Sequence, residues 1–81
     1  MKNWHTYIVR CADGSLYVGI TTDLEARMLK HNEGKGGAYT RSHRPVVLVW
    51  HETASSESAA RKREAELKKW PKAKKEELAG G

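Results

Sequence analysis

Apolar and β-branched residues near the start of the chain fall into two short runs. The first spans residues 4–11 and contains Tyr7-Ile8-Val9, and the second spans residues 16–20. Residues 12–15 between them include Asp13-Gly14, a pair that favours a tight turn. Two such runs on either side of a turn predict a β-hairpin.

A stretch of good helix formers follows the hairpin, from Leu24 to His31. Residues 21–23, Thr-Thr-Asp, provide side-chain oxygens that can cap its first turn, and Glu25 lies near the positive end of the helix dipole. The glycine-containing residues 32–37 end the pattern. The sequence therefore predicts a short first helix.

The third apolar run follows a glycine-rich, basic loop that extends to Arg44. After Pro45, residues 46–50 read Val-Val-Leu-Val-Trp without a polar interruption. Such a continuous run is typical of a central strand. We expect this run to form the third strand of the sheet.

Two further helices are predicted in the last third of the chain. Ser55 or Ser56 can cap the first, which should run to about Lys69, and Pro71 suits the first turn of the second, which should end near Leu78. The element order is strand, strand, helix, strand, helix, helix. It predicts an α+β fold, with helices packed on a three-stranded, mainly antiparallel sheet.

Length and charge narrow the class of protein. With 81 residues the chain can bury one compact core, so residues 1–81 are expected to form a single domain. The net charge of +5 favours a polyanionic partner, because clustered Lys and Arg attract phosphates. Much of that charge lies in residues 61–75, where glutamates are interleaved. This segment is either an ordinary solvated helix face or a surface that contacts phosphates.

The sequence supports neither a membrane partner nor a disulfide. Cys11 is the only cysteine, which excludes an internal disulfide and a cysteine-rich zinc site, and its flanks predict a buried thiol in a strand. No stretch approaches the roughly 18 apolar residues of a membrane span. The first residues also lack the apolar core of a signal peptide. We therefore expect a cytoplasmic protein.

Tyr7 and Tyr17 lie on the two hairpin strands, where tyrosines are usually packed side chains. The hairpin register decides whether they share a face of the sheet. A two-residue turn would pair Val9 with Val18 and put the two phenols on opposite faces. A loop one residue longer, or a bulge, would pair Val9 with Gly19 and put both phenols on one face. A shared tyrosine site requires the second arrangement.

Arg27 and His31 are neighbours on one stripe of the first helix, which also contains Leu24. Arg27 either lays its stem over the edge of the core or holds its guanidinium toward a phosphate, where its fork suits bidentate contact. His31 is either a cation at the helix C-terminus or a proton-transfer group.

Glu64 is a carboxylate on an apolar stripe, because Ala60, Glu64 and Leu67 share one face of the second helix. Burial of an unpaired charge costs several kcal/mol, so Glu64 is expected to have a basic side chain or a bound cation as partner. A single carboxylate completed by water is a typical Mg²⁺ arrangement. The spacing alone favours the ion pair over the metal.

These residues belong to a longer ordered set. In sequence order the set is Tyr7-Ile8-Val9, Tyr17-Val18-Gly19, Thr21-Thr22, Asp23 to Arg27, His31-Asn32, Gly34, Ala38 to Arg41, Arg44-Pro45, the third strand, Ala60 to Glu64, Leu67-Lys68, Lys75 and Leu78. It resembles the pattern of the GIY-YIG nuclease superfamily, in particular its small stand-alone bacterial members, over nearly the whole chain. The first half-motif reads Thr6-Tyr7-Ile8 in place of Gly-Ile-Tyr, and Tyr7 supplies its phenol.

The resemblance implies the GIY-YIG endonuclease fold and phosphodiester hydrolysis with one Mg²⁺ or Mn²⁺ ion. Glu64 would hold the metal, and Tyr7 would orient or deprotonate the attacking water, with the field of Arg27 and the metal favouring its ionised form. Arg27 would hold a non-bridging oxygen. Tyr17 would complete the phosphate pocket, and His31 would bond the phosphate or relay a proton.

Further contacts to nucleic acid are expected around this site. Thr40, Arg41 and Arg44 follow the glycine-rich segment and would contact flanking phosphates, as would Lys68. Tyr39 either stacks on a base or packs on the sheet. Because the sequence contains no separate reader such as a zinc finger, specificity would come from nucleic-acid shape or from a protein partner.

The leading hypothesis is a metal-dependent endonuclease of structured or single-stranded DNA, with RNA less favoured as substrate and DNA repair as its setting. A second hypothesis is a nucleic-acid-binding module that keeps the fold without useful catalysis. A third, a structural adaptor for a larger protein, explains the basic charge least well.

Overall fold

The computed structural model describes residues 3–35 and 42–80. Over these residues the chain forms three strands and three helices in the predicted order. They are β1 (Trp4–Arg10), β2 (Leu16–Thr21), α1 (Leu24–Asn32), β3 (Val47–Ala54), α2 (Glu57–Lys68) and α3 (Lys72–Leu78). The α+β class is confirmed. Within the described ranges no helix has the length and apolar character needed to cross a membrane.

β1 lies in the middle of the sheet and pairs antiparallel with both β2 and β3. All four residues from Thr6 to Val9 are buried. The prediction that residues 46–50 form a central strand is wrong, because β3 lies at an edge. Its apolar run instead reflects burial on two faces: a bulge in its pairing with β1 allows Val49 and Trp50 to pack on one side and Leu48 on the other.

The hairpin loop contains three residues, 12–14. Cys11 N donates to Ser15 O at 2.8 Å, and Gly14 adopts a φ of 87°, a left-handed conformation that glycine accepts without steric cost. Val9 consequently pairs with Tyr17. The predicted pairing of Val9 with Gly19 is wrong, because the extra residue precedes the turn instead of following it. The longer loop nevertheless places both phenols on one face, as a shared tyrosine site requires.

The two faces of the sheet bury separate apolar clusters. We call the side carrying Tyr7 and Val9 the α1 face, because Leu24 and Met28 of α1 pack there. We call the side carrying Ile8 the α2 face, because Leu67 of α2 and Leu78 of α3 pack there. Cys11 is buried in the α1-face cluster as predicted, but it lies one residue beyond the end of β1 and not in a strand. Helices therefore cover both sides of one three-stranded sheet.

Both longer helices begin at predicted caps. Asp23 Oδ1 accepts a hydrogen bond from Ala26 N at 3.0 Å, and Ser56 Oγ accepts one from Ala59 N at 3.1 Å. Each bond satisfies a backbone donor that the first turn leaves unpaired. Pro71 is the N-cap of α3 and so lies just before the first turn in which it was expected.

Two polar contacts tie helix ends to the sheet. The Asn32 side chain donates to Val46 O at 3.2 Å and accepts from Val46 N at 2.8 Å, so the end of α1 holds the start of β3. The Arg10 guanidinium donates to both carboxylate oxygens of Glu76, with Nη1 at 2.8 Å from Oε2, and links β1 to α3. This bidentate bond lowers the pKa of Glu76.

Candidate active site

The Tyr7 ring crosses from β1 over Gly19 of β2. Tyr7 is fully buried, and a Cβ atom at Gly19 would lie 2.5 Å from its hydroxyl oxygen. Contacts that short do not occur between such atoms, so the ring can take this position only where β2 lacks a side chain. The glycine of the second half-motif therefore positions the tyrosine of the first.

The Tyr7 hydroxyl joins two side chains of α1. It lies 2.9 Å from His31 Nε2 and accepts a hydrogen bond from Arg27 Nε at 3.3 Å. Arg27 and His31 are four residues apart, so consecutive turns of the helix present both to the same atom. The structure thus brings three of the predicted site residues into direct contact.

Burial and the charge of Arg27 determine the protonation state of His31. It lowers the pKa of His31, and the positive charge of Arg27 lowers it further, so the imidazole is neutral near pH 7. Because the Tyr7 oxygen already accepts from Arg27, the phenol can donate its proton to Nε2 of the neutral imidazole. The result is an ordered chain of donors from Arg27 through Tyr7 to His31.

The pKa of Tyr7 is raised, because burial outweighs the hydrogen bond from Arg27, and the charges of Tyr17 and Glu64 act in the same direction as burial. Tyr7 is therefore a neutral phenol near pH 7. The resemblance implied that Arg27 and the metal would favour the ionised phenol. Arg27 does act in that direction, but it does not overcome the burial of the ring.

Tyr17 joins the group through the His31 ring. The ring centroids of Tyr17 and His31 are 5.9 Å apart with an interplanar angle of 73°, and those of Tyr7 and His31 are also 5.9 Å apart, at 66°. His31 is thus approached edge-on by both phenols. It is fully buried, whereas Tyr17 is half-buried at the rim of the site.

Glu64 lies on α2. Its negative charge acts in the same direction as burial on the pKa of Tyr7, which is raised. Its carboxylate lies 3.3 Å from Lys68 Nζ, and its side chain is 21% exposed. The ion pair that the spacing favoured is therefore present, with the next turn of α2 supplying the partner.

The donor set around Glu64 restricts the kind of metal site that is possible. Among the residues the structure describes, no three His, Cys, Asp or Glu side chains cluster in a way that could hold an ion. One carboxylate fits Mg²⁺ or Mn²⁺, which bind proteins through one or two carboxylates and complete their shells with water and phosphate oxygens. A single carboxylate does not fit a site in which protein side chains supply all the ligands of the metal.

The predicted nucleic-acid contacts are only partly within the described structure. Tyr39, Thr40 and Arg41 lie outside the described residues. Arg44 is exposed, just ahead of β3. Lys68 is 54% exposed and its Nζ lies 3.3 Å from the Glu64 carboxylate.

Two residues that position the site were not given that role from the sequence. Gly19 admits the Tyr7 ring, and the signal was a glycine within an otherwise apolar strand pattern. Asn32 fixes the end of α1 immediately after His31. Its partner is a backbone fourteen residues away, so only its place at the helix terminus hinted at a role.

A fold with helices on both sides of a three-stranded sheet, and a tyrosine, arginine and histidine site on one of them, can be compared with known proteins. The GIY-YIG catalytic domain matches residues 3–77. The chain therefore belongs to the GIY-YIG family, which is a family of nucleases. The predicted resemblance is confirmed, and nucleic acid is the class of ligand that this family indicates.

The similar relatives are small proteins of one group. The UPF0213 protein SH2523 of Staphylococcus haemolyticus is 51% identical over 75 residues, covering 93% of this chain and 92% of the relative. The solution NMR structure of the UPF0213 protein BH0048 from Bacillus halodurans has a TM-score of 0.61 at 42% identity and covers 96% of this chain and 83% of that one. That of EF2693 from E. faecalis has a TM-score of 0.64 at 39% identity, over 95% and 82%. These similarities support the fold independently of the site.

Proposed function

We propose that the protein is an endonuclease that hydrolyses phosphodiester bonds of DNA with one divalent cation, Mg²⁺ or Mn²⁺. The observation that carries the proposal is the convergence of Arg27 Nε and His31 Nε2 on the Tyr7 hydroxyl. A cation, a phenol and a neutral imidazole in contact provide both a phosphate anchor and a route for a proton.

The proton route begins at the attacking water. Tyr7 is fully buried in the free protein, so substrate binding would have to open the site to water. Tyr7 Oη would then accept a proton from that water as the phenol passes its own proton to Nε2 of His31. The hydroxide formed attacks phosphorus, the bond to the leaving oxygen breaks, and that oxygen takes a proton from solvent. The low pKa of His31 keeps the imidazole ready to accept. This route does not require a free phenolate, so the raised pKa of Tyr7 is compatible with it.

Arg27 positions the phosphate. Its guanidinium is planar and always charged, so while Nε holds the Tyr7 oxygen, the terminal nitrogens suit a non-bridging oxygen of the same phosphate. Tyr17 would close the pocket from β2. Arg27 would then hold the phosphate and the Tyr7 hydroxyl would hold the water, so both reactants would lie beside the same hydrogen bond.

Glu64 would hold the cation, with phosphate oxygens and water as the other ligands. When bound there, the cation would neutralise charge on the scissile phosphate and on the leaving oxygen. The ion pair between Glu64 and Lys68 does not obstruct this, since a partly exposed pair four residues apart on a helix contributes on the order of 1 kcal/mol or less. Lys68 is then able to contact the phosphate backbone.

A second candidate function has its own support. Glu64 is ion-paired, Tyr7 is a neutral phenol, and the described residues provide no cluster of metal ligands. The same features suit a module that binds nucleic acid without cutting it. In both functions the ligand is nucleic acid, so they differ in turnover and not in binding.

The test is incubation of labelled branched, nicked and single-stranded DNA and the matching RNAs with wild type and Arg27→Ala, in Mg²⁺ or Mn²⁺. We expect cleavage by wild type and a loss on the order of 100-fold in Arg27→Ala, the usual scale for removal of one preorganised electrostatic group. Lys30→Ala is the matched control, since Lys30 is an exposed cation of the same helix. A preference for branched or nicked DNA would support a role in repair.

Binding without cleavage by wild type on every substrate would replace the nuclease with the binding module. Cleavage that is equally fast in wild type and Arg27→Ala would contradict the assignment of the site.

A further inference from the structure

Two histidines lie beside the site on the α1 face of the sheet. His51 of β3 is the cross-strand partner of Tyr7, and His5 precedes Tyr7 by two residues on β1. Cross-strand partners, and residues two apart on a strand, point to the same side of a sheet. His5 and His51 therefore extend the surface on which Tyr7 lies, toward β3.

The two imidazoles form a pair that faces outward. Their ring centroids are 5.9 Å apart with an interplanar angle of 77°, and His5 Nδ1 lies 3.4 Å from Thr53 Oγ1. His51 and Thr53 are exposed and His5 is half-buried, and neither ring belongs to an apolar cluster of the core. The pair is therefore partly accessible to solvent.

The carboxylate that lies next to His51 in sequence points away from this pair. Glu52, the carboxylate between His51 and Thr53, points to the α2 face, where its Oε2 lies 3.2 Å from Arg63 Nε. On β2, the partner of His5 is Thr21, another hydroxyl side chain. A strip of imidazole and hydroxyl groups therefore crosses the three strands, and the glutamate of β3 faces away from it.

We propose that His5, His51 and Thr53 form a subsite for a backbone phosphate that flanks the scissile one. This proposal rests on the proposed function, because it places the flanking nucleotide relative to the Tyr7 site. Imidazole N–H and hydroxyl groups are donors that contact phosphate without reading sequence. The Tyr7 hydroxyl lies over β2 and the histidine pair over β1 and β3, a separation of about two strand spacings, roughly 10 Å. The nucleic-acid chain would thus cross the sheet from β2 toward β3.

The test measures binding apart from cleavage. A fluorescently labelled single-stranded oligodeoxynucleotide is titrated with wild type, His51→Gln and the double variant His5→Gln/His51→Gln in EDTA, with anisotropy as the readout. His43→Gln is the matched control, because His43 lies at the hairpin loop, where its Nε2 is 3.4 Å from Asp13 and its backbone oxygen accepts from Ala12 N. A second readout is single-turnover cleavage in Mg²⁺ at saturating protein.

We expect the double variant to raise the Kd about three- to tenfold, as for the loss of one hydrogen-bonded contact, and His51→Gln to show part of this effect. His43→Gln should bind as wild type does, and the saturated cleavage rate of the double variant should stay within a few-fold of wild type.

The outcomes separate this proposal from the proposed function. A double variant that binds as wild type does, while wild type cleaves, overturns the subsite alone, as does an equal loss in His43→Gln. Histidine-dependent binding without any cleavage contradicts the nuclease and supports the subsite. If wild type does not bind the oligonucleotide, both proposals fail.

Discussion

At the scale of single residues, the hydrogen bond between Tyr7 and His31 determines the chemistry available to the site. Burial raises the pKa of the phenol and lowers that of the imidazole, so each group is neutral near pH 7. A neutral imidazole can accept the proton that a neutral phenol passes on, which neither group could do if both were charged. Burial thus keeps both groups in the neutral forms that this hydrogen bond requires.

The lowered pKa of His31 predicts a specific loss of stability in mild acid. The ordinary pKa of histidine is 6.5. Below this pH the imidazole of the unfolded chain binds a proton, whereas the buried imidazole of the folded protein stays neutral to a lower pH. The contribution of His31 is therefore fully present above pH 6.5 and is lost as the pH falls below it. Urea unfolding at pH 5 to 8 should show a steeper fall in wild type than in His31→Gln, and parallel pH profiles would contradict the burial of a neutral imidazole.

Gly19→Ala should disturb the site through one contact. The added Cβ would lie 2.5 Å from the Tyr7 hydroxyl oxygen, so the ring must move, at a cost of about 1–3 kcal/mol in the free energy of unfolding. The His31 imidazole NMR resonances should shift with it. Gly14→Ala is the control: no atom lies within 4 Å of its Cβ, and its φ of 87° should cost about 1 kcal/mol without moving those resonances. Unchanged resonances in Gly19→Ala would refute the close approach.

At the scale of elements, the group of contacting side chains combines phenols from the hairpin with Arg27 and His31 from α1. The proposed metal ligand, Glu64, lies on α2. The sequence predicted α1 well, because its cap and helix-forming residues act locally. The sequence also showed that the length of the hairpin loop decides whether Tyr7 and Tyr17 share a face of the sheet, and it left that length open. The bounds of these elements could therefore be predicted almost to the residue.

The sequence was less informative wherever distant contacts decide the outcome. The apolar pattern of β3 ended at Trp50, whereas the strand continues through polar residues to Ala54, held by pairing with β1. His51 was overlooked for that reason. The protonation of Tyr7 is likewise a balance between burial and Arg27, which spacing along the chain does not reveal.

The ion pair between Arg10 of β1 and Glu76 of α3 is predicted to stabilise the last helix on the sheet. Glu76→Gln removes the charge that binds the Arg10 guanidinium, so backbone amides of α3 should exchange hydrogen faster while those of α1 do not change. Glu77→Gln, at the exposed neighbouring position, is the matched control. Because the pKa of Glu76 is lowered, the tie is present above pH 4.5 and is lost in wild type as the pH falls below it. Equal exchange in both variants would show that packing alone holds α3.

At the scale of the whole molecule, the two faces of the sheet differ in what they carry. The α1 face carries the tyrosine, arginine and histidine site and the histidine pair, and the α2 face buries an apolar cluster under the helix that supplies Glu64. A net charge of +5 favours a polyanion over the surface as a whole. Membership in a nuclease family and the local geometry thus indicate the same class of ligand.

The most direct test of the nuclease is the single-turnover rate of DNA cleavage in Mg²⁺ by wild type, Glu64→Gln and Glu66→Gln. Glu66 is on the same helix, 56% exposed, and pairs with Arg63 at 4.0 Å, so it serves as the matched control. We predict that wild type and Glu66→Gln cleave at similar rates and that Glu64→Gln is slower by on the order of 100-fold, while all three unfold at similar temperatures. Cleavage by Glu64→Gln at the wild-type rate, or no cleavage by wild type, would contradict the account.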